Sequence, residues 1–330
     1  MLHSHLTTLN AVSLVLATLG QEGIDADILL AGSGITALDL ARPDPRITTV
    51  QEMQVCANAL ALREDLGLVL GRRMHVSSYG MLGYALLLSA TFGDALTFAL
   101  RYPALLGTFF QLSLEADGDR LWLCATDYQD RPALAIFNAE LCLASLKIIF
   151  GDILGRPLPL VAASFTHAPP SYADDYSGLF QCPVQFGALK NGFAFDRAWL
   201  AETLPLADAV THRAMAERCR RQNAEFSGRQ AWLARIRQRL ADQLASPPGL
   251  EGLAQQMNCS ARTLRRHLHE RGSSYQDLLD ELRFERAKRL LAEDQWPVYR
   301  VAEALGFSEA ASFRQAFIRW SGMPPSQFRA

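Results

Sequence analysis

Three arginines near the C-terminal end of the chain, Arg262, Arg265 and Arg266, are spaced to do chemistry on a nucleic acid. On a wheel of about 100° per residue they and His269 lie opposite Leu264 and Leu268, and so point away from whatever those leucines pack against. Arginine is the side chain that pairs bidentately with guanine O6 and N7 in the major groove. At an offset of 49 from Leu264, Phe313 begins a second pattern of the same kind, in which Phe313 and Phe317 turn inward and Ala311, Arg314 and Gln315 turn outward. The chemistry on offer is readout of base edges, with contact to phosphates as the alternative role for the arginines.

Such side chains need helices to present them. Leu250, Leu253, Ala254 and Met257 recur at i, i+3, i+4 and i+7, one buried face of a short helix. Asn258 and Cys259 make a turn, and Ser260 stands where its oxygen can accept from the free amides of a new helix. The second pattern repeats this with Val298, Val301, Ala302 and Leu305. Gly306 ends that helix in the left-handed conformation, and Ser308 with Glu309 is expected to cap the next. Leu253 matches Val301 at an offset of 48 but Leu264 matches Phe313 at 49, so one extra residue lies in the second turn or helix start. From Ser273 to Gln295 there is neither Gly nor Pro, and Leu278, Leu282, Ala287, Leu290 and Leu291 keep a helical period. One linker helix should therefore separate two helix-turn-helix units. Two recognition helices held by one rigid chain read half-elements about 10 bp, roughly 34 Å, apart.

The segment VAEALGFSEAASFRQAFIRWSGMPPSQFR resembles the AraC/XylS family of transcription regulators, through Val301, Ala302, Gly306, Phe307, Ser308, Phe313, Phe317, Gly322, Pro324, Pro325 and Phe328. Pro324 stands where the family has Ser and Phe328 where it has Tyr, and neither position faces DNA. The resemblance covers about 100 residues. It implies double-stranded promoter or operator DNA as one partner, RNA polymerase as another, and activation as the commoner mode.

Charge divides the chain in the same place. From Arg229 onward there are 16 Lys and Arg against 11 Asp and Glu, net +5, while the remainder carries 16 against 23, net −7, within a total of −2. A basic module rides on an acidic one, and its affinity for DNA should fall with salt. The reading is of three parts: 1–205, an α+β effector-sensing or dimerisation domain; 206–228, a helical connector containing HRAMAERCRRQNAEF; and 229–330, an all-α DNA-binding domain. A connector helix of this kind leaves a homodimer open. Six cysteines are scattered singly with no CxxC pair, which argues for reduced thiols and against a disulfide frame or zinc site. No stretch of 18 uninterrupted apolar residues is present, and MLHSHLTTLNAVSLVLATLG lacks a basic start and a cleavage site. It reads as an amphipathic helix in a cytoplasmic protein.

Within 1–205, helical periodicity runs through Thr48–Leu62 and Met81–Leu106, broken near Ser89–Gly93. Alternating runs Phe110–Ala116 and Leu121–Thr126 flank Asp117-Gly118-Asp119 as a hairpin. Pro132–Leu154 reads as helix, Leu160–Phe165 as strand, Tyr172–Leu179 as a short helix, and Val184–Phe195 as two short strands around Lys190-Asn191-Gly192. The stretches YGMLGYALLLSATFGDALTFALRYPALLG, LSLEADGDRLWL and FTHAPPSYADDYSGLFQCPVQFGALKNGFAFDRAWLAETLPLAD resemble the arabinose-binding-type N-terminal domain of one branch of AraC-type regulators, which includes an ornithine-utilisation regulator. That resemblance spans most of residues 24–208 and implies sensing of a small molecule without making it arabinose.

Candidate effector contacts are Arg101, Tyr84, Tyr102 and Trp122, with Tyr79, Phe109, His167 and Phe193 as further aromatic walls. Arg101 leads because a charge inside an apolar helix must find a counterion. No G-x-S-x-G elbow, phosphate-binding Gly-rich loop, HExxH or paired Cys/His nucleophile occurs, so neither an enzyme, a cofactor nor a metal is expected. The alternative to a sensor is that 1–205 is a protein-interaction module.

Overall fold

The computed structural model describes residues 6–8, 10–41, 46–128, 132–269 and 273–328. Contacts divide it into two compact units, Met1–Phe226 and Ser227–Ala330. The first unit begins with β1 (Leu6–Thr8), α1 (Asn10–Gly20), α2 (Ala26–Leu30), α3 (Ala37–Leu40), β2 (Arg46–Thr48), α4 (Thr49–Leu60) and α5 (Leu66–Gly71). Here the expected helix over residues 1–20 is corrected. Only Asn10–Gly20 is helical, because Leu6–Thr8 pairs antiparallel with Arg46–Thr48, a partner some forty residues away that no local period announces; residues 1–5 and 9 lie outside the described residues. Val12, Val15 and Leu19 of α1 meet Met53, Val55 and Cys56 of α4 and Leu66 and Leu70 of α5 in one apolar cluster.

Next come α6 (Gly80–Leu87), α7 (Phe92–Arg101), α8 (Pro103–Leu106), β3 (Gln111–Asp117), β4 (Arg120–Thr126), α9 (Ala135–Leu154), β5 (Leu160–Ser164), α10 (Asp174–Phe180), β6 (Val184–Gln185), β7 (Asn191–Asp196) and α11 (Ala209–Ala241). The break expected near Ser89–Gly93 separates α6 from α7, where Thr91 and Asp94 close a capping box. The hairpin β3–β4 forms as read, with Asp117 opposite Arg120 and Gly118 at φ 59° in its tip. The sheet runs β3-β4-β7-β5-β6. Two strands do form in Val184–Phe195, but not as neighbours: β6 pairs parallel with β5, and β7 runs antiparallel between β4 and β5. Leu121 and Leu123 of β4 share a face with Phe193 and Phe195 of β7, and that face packs on Phe150 of α9 and Phe92 of α7. Pro132–Leu154 is long and apolar enough to cross a membrane by length and composition. In this fold it is a core helix, with Phe137, Leu143, Leu146, Ile149, Phe150 and Ile153 buried along it.

Of the connector expected over 206–228, residues 209–228 belong to α11, a single helix that continues past Arg229 to Ala241. In the second unit follow α12 (Leu250–Gln256), α13 (Ala261–His269), α14 (Tyr275–Ala292), α15 (Val298–Ala304), α16 (Ala310–Ser321) and α17 (Pro325–Phe328). Among the described residues this unit has helices and the turns between them and no strand.

Candidate nucleic-acid interface

The first helix-turn-helix is α12 and α13. Leu253, Ala254 and Met257 meet Leu264 and Leu268 over a floor of Ile236, Leu240 and Leu278. Met257 caps α12 and Asn258 turns the chain at φ 53°, after which the Cys259 amide donates back to the Ala254 carbonyl at 3.0 Å. Ser260 then accepts from the Thr263 amide at 3.1 Å and starts α13. The second unit, α15 and α16, uses the same turn: Gly306 sits at φ 74° and the Phe307 amide donates to the Ala302 carbonyl at 3.0 Å. Two residues, Cys259 and Ser260, follow the left-handed position before α13, whereas three, Phe307, Ser308 and Glu309, precede α16. The extra residue is thus in the turn, after a shared cap. The expected capping of α16 is corrected: Glu309 holds the cap position with no side-chain hydrogen bond, because the added residue carries Ser308 out of register.

Glycine is obligatory at position 306 on two counts. Its φ is left-handed, and a Cβ would come 2.5 Å from the Ala245 carbonyl oxygen and 2.8 Å from that of Leu244. The turn of the second unit therefore rests directly on the backbone that follows α11. Phe313 and Phe317 are fully buried with Val301, Leu305, Leu290 and Leu291, and Phe328 of α17 closes edge-on against Phe317 at 5.4 Å.

Helix α14 ties the units together. Ser274 and Asp277 form its capping box, and Tyr275 and Leu282 pack into the cores on both sides. Glu281 pairs with Arg237 of α11 at 2.6 Å and Asp280 with Arg319 of α16 at 2.8 Å. Arg283 was not singled out by sequence. Its guanidinium lies 4.6 Å over the Phe307 ring in the second turn, and burial lowers its pKa while Asp280 opposes the shift.

On this frame Arg262, Arg265, Arg266 and His269 are exposed on α13, and Ala311, Arg314 and Gln315 on α16. Leu264 and Leu268, Phe313 and Phe317 are buried. Each recognition helix thus presents a solvent face rich in hydrogen-bonding groups, the arginine-rich one on α13. That arrangement defines a protein with two helix-turn-helix units in one covalent module.

The four effector candidates do not converge. Tyr84 is 59 % exposed on α6, and Tyr102 is 6 % exposed in the core with its ring 4.9 Å from Phe98. Trp122 alternates to the sheet face away from that core, where the Lys190 ammonium stands 5.6 Å over its ring. Arg101 lies exposed in the last turn of α7, where water and the helix C-terminal carbonyls accommodate its charge without a buried counterion. A buried charge that does need partners is Glu140 of α9. Its Oε1 accepts from the Tyr172 hydroxyl at 2.9 Å and from the Tyr176 hydroxyl, while Oε2 has no hydrogen-bond partner. Burial, aided by the nearby Asp65 charge, pushes its pKa up to about 7 against the two tyrosine hydrogen bonds. A side chain on Gly67 of α5 would strike it, with a Cβ 2.5 Å from Oε2. The signal was legible: Glu140 is the one acid in the apolar run ALAIFNAELCLASLKIIF. All six cysteines are free thiols, and among the described residues no group of three or more His, Cys, Asp or Glu could hold a metal ion.

Comparison with known proteins agrees with both units. Residues 23–204 match the model for the arabinose-binding domain of AraC transcription regulator, N-term, and residues 253–330 match a helix-turn-helix domain model. The chain is 33 % identical to the ornithine utilization regulator of Pseudomonas aeruginosa over 317 residues, 96 % of this chain and 94 % of that one. It is 31 % identical to the transcriptional regulator VqsM of the same organism over 277 residues, 80 % and 83 % of the two chains. The crystal structure of the transcriptional regulator CdpR from Pseudomonas aeruginosa aligns over 97 % of this chain and 98 % of that one, with TM-score 0.46 and 23 % identity. All three are regulators by name, VqsM one of the helix-turn-helix type. This chain belongs to the AraC family of transcription regulators, in the branch with the arabinose-binding type of N-terminal domain.

Proposed function

We propose that this regulator activates transcription in response to a small metabolite sensed by residues 1–205, with 206–228 as connector and 229–330 as the DNA-binding module. The observation that carries the reading is the joining, in one chain, of two outward-facing recognition helices to an α+β unit matched by a sensor-type family model. Arg262, Arg265 and Arg266 contact one half-element, and Ala311, Arg314 and Gln315 the other. RNA polymerase is the partner that activation requires, the cytoplasm is where promoter DNA lies, and a homodimer through the connector would pair two such readers. The metabolite acts by binding one of two states of the protein more tightly than the other.

The name of the Pseudomonas relative places that protein in ornithine utilisation, so amino acids and their amine products are the compounds to test first. A thermal-shift screen of the full chain should find one that stabilises it, by about 2.7 kcal/mol at a hundredfold excess over Kd. The same compound should change output from a reporter carrying the selected operator. If no compound shifts the melt while a protein partner alone changes reporter output, residues 1–205 are an interaction module.

A further inference from the structure

Helix α16 carries an apolar side chain that the family reading leaves without a role. Phe313, Ala316 and Phe317 are its buried residues, with Trp320 packed beside them. At about 100° per residue, the direction opposite that core is occupied by Ala311, Gln315 and Ile318, each within roughly 30° of it. Arg314 and Arg319 stand about 70° to either side, and Arg319 is held toward the linker helix by Asp280 at 2.8 Å. Ile318 is 44 % exposed at the C-terminal end of this face. A lone exposed isoleucine needs no explanation by itself, but this one lies in line with the two residues aimed most directly outward from a recognition helix. Aligning the helices on Leu264 and Phe313 gives the same geometry twice. Arg262, Arg266 and His269 of α13 occupy the places of Ala311, Gln315 and Ile318, and Arg265 that of Arg314. The position of Ile318 thus lies on the outward face of both helices, polar in the first and apolar in the second.

The edge of B-DNA exposed in the major groove offers one apolar group, the C5-methyl of thymine, and Gln is the side chain that pairs bidentately with adenine N6 and N7. We propose that Ile318 is a specificity residue that packs on the C5-methyl of a thymine in the element read by α16, beside the base contacted by Gln315. This rests on the reading of α16 as a recognition helix. It makes the second half-element A·T-rich at its centre.

The test uses the full-length protein and a duplex it selects from a random pool. Each thymine of the α16 element is replaced in turn by deoxyuridine, which removes only the methyl group. One position should cost the wild type about fourfold in affinity, the worth of a buried methyl. Ile318→Ala should lose about as much on the thymine duplex and be indifferent to deoxyuridine at that position, and Ile318→Val should fall between. Unchanged affinity for non-specific duplex shows that the variants fold. A wild type indifferent to every deoxyuridine, or an Ile318→Ala variant that keeps the wild-type response, overturns the assignment while leaving DNA binding intact. Failure to select any duplex refutes the broader reading, and this inference with it.

Discussion

Replacing Gly306 by alanine tests whether the second turn is held as described, and Gly322→Ala supplies the internal reference. Both glycines are left-handed, at φ 74° and 76°. An L-residue pays about 1 kcal/mol or somewhat more for that conformation at either place. Nothing lies within 4 Å of a Cβ on Gly322, whereas one on Gly306 would meet the Ala245 and Leu244 carbonyl oxygens at 2.5 and 2.8 Å. Those are backbone atoms and cannot rotate aside, so relief requires the turn to lift off the segment that follows α11. Overpacking of this kind costs about 1 to 3 kcal/mol. Gly306→Ala should therefore lose about 2 kcal/mol more than Gly322→Ala. Native-state hydrogen exchange at the Leu305, Gly306 and Phe307 amides reads the difference locally, and affinity for the selected duplex at fixed salt reads its effect on α16. Equal losses for the two variants would refute the contact and leave φ alone to account for the glycine.

Two further outcomes are expected. A carboxyl held at about 7 in the fold, against 4.5 in the free side chain, favours the native state most where it is protonated. Its stabilisation is full below pH 4.5 and is lost as pH rises through about 7, so Glu140→Gln should gain on the wild type by about 3 kcal/mol between pH 4 and pH 8. Denaturant unfolding of both proteins across that range measures it, and parallel curves would refute the assignment. For the first reading helix, binding-site selection with Arg262→Ala, Arg265→Ala and Arg266→Ala should show about 1 to 3 kcal/mol lost on the wild-type site and a relaxed preference at one G·C pair for each base-reading arginine. Three variants that keep every wild-type preference and lose only overall affinity would make all three phosphate clamps.

The helix-turn-helix units were legible because the determinants that place their helices and turns are local. Leu253, Leu264, Gly306 and Phe313 act within one or two turns of helix, and the left-handed cap fixes where each turn goes. The extra residue was countable from the offsets of 48 and 49, but its place in the turn became visible only when Asn258 and Gly306 proved to be equivalent caps. Long-range pairing was not legible. Leu6–Thr8 finds its partner near Ile47, and β6 lies beside β5 and not beside the strand that follows it, since strand partners are chosen by shared burial across the sheet. The same limit applied to side chains. Tyr84 and Tyr102 look alike in sequence, yet one is on the surface and the other in the core. The partners of Glu140 arrive from 32 and 36 residues further along the chain.

The unlike faces of α13 and α16 give the bound chain a head and a tail. A symmetric dimer of identical readers meets the same bases whichever way the site is turned, and cannot tell upstream from downstream. Here Arg262, Arg266 and His269 come first in the chain, Ala311, Gln315 and Ile318 second, and α14 fixes their order. If the two faces read as proposed, reversing the site would set the arginines of α13 over the bases suited to Gln315 and Ile318 and strand the isoleucine on polar edges. On the proposed reading even a single copy of this chain carries a compass: it lies along its site in one direction, and any surface it offers to a neighbouring protein on the DNA faces one way.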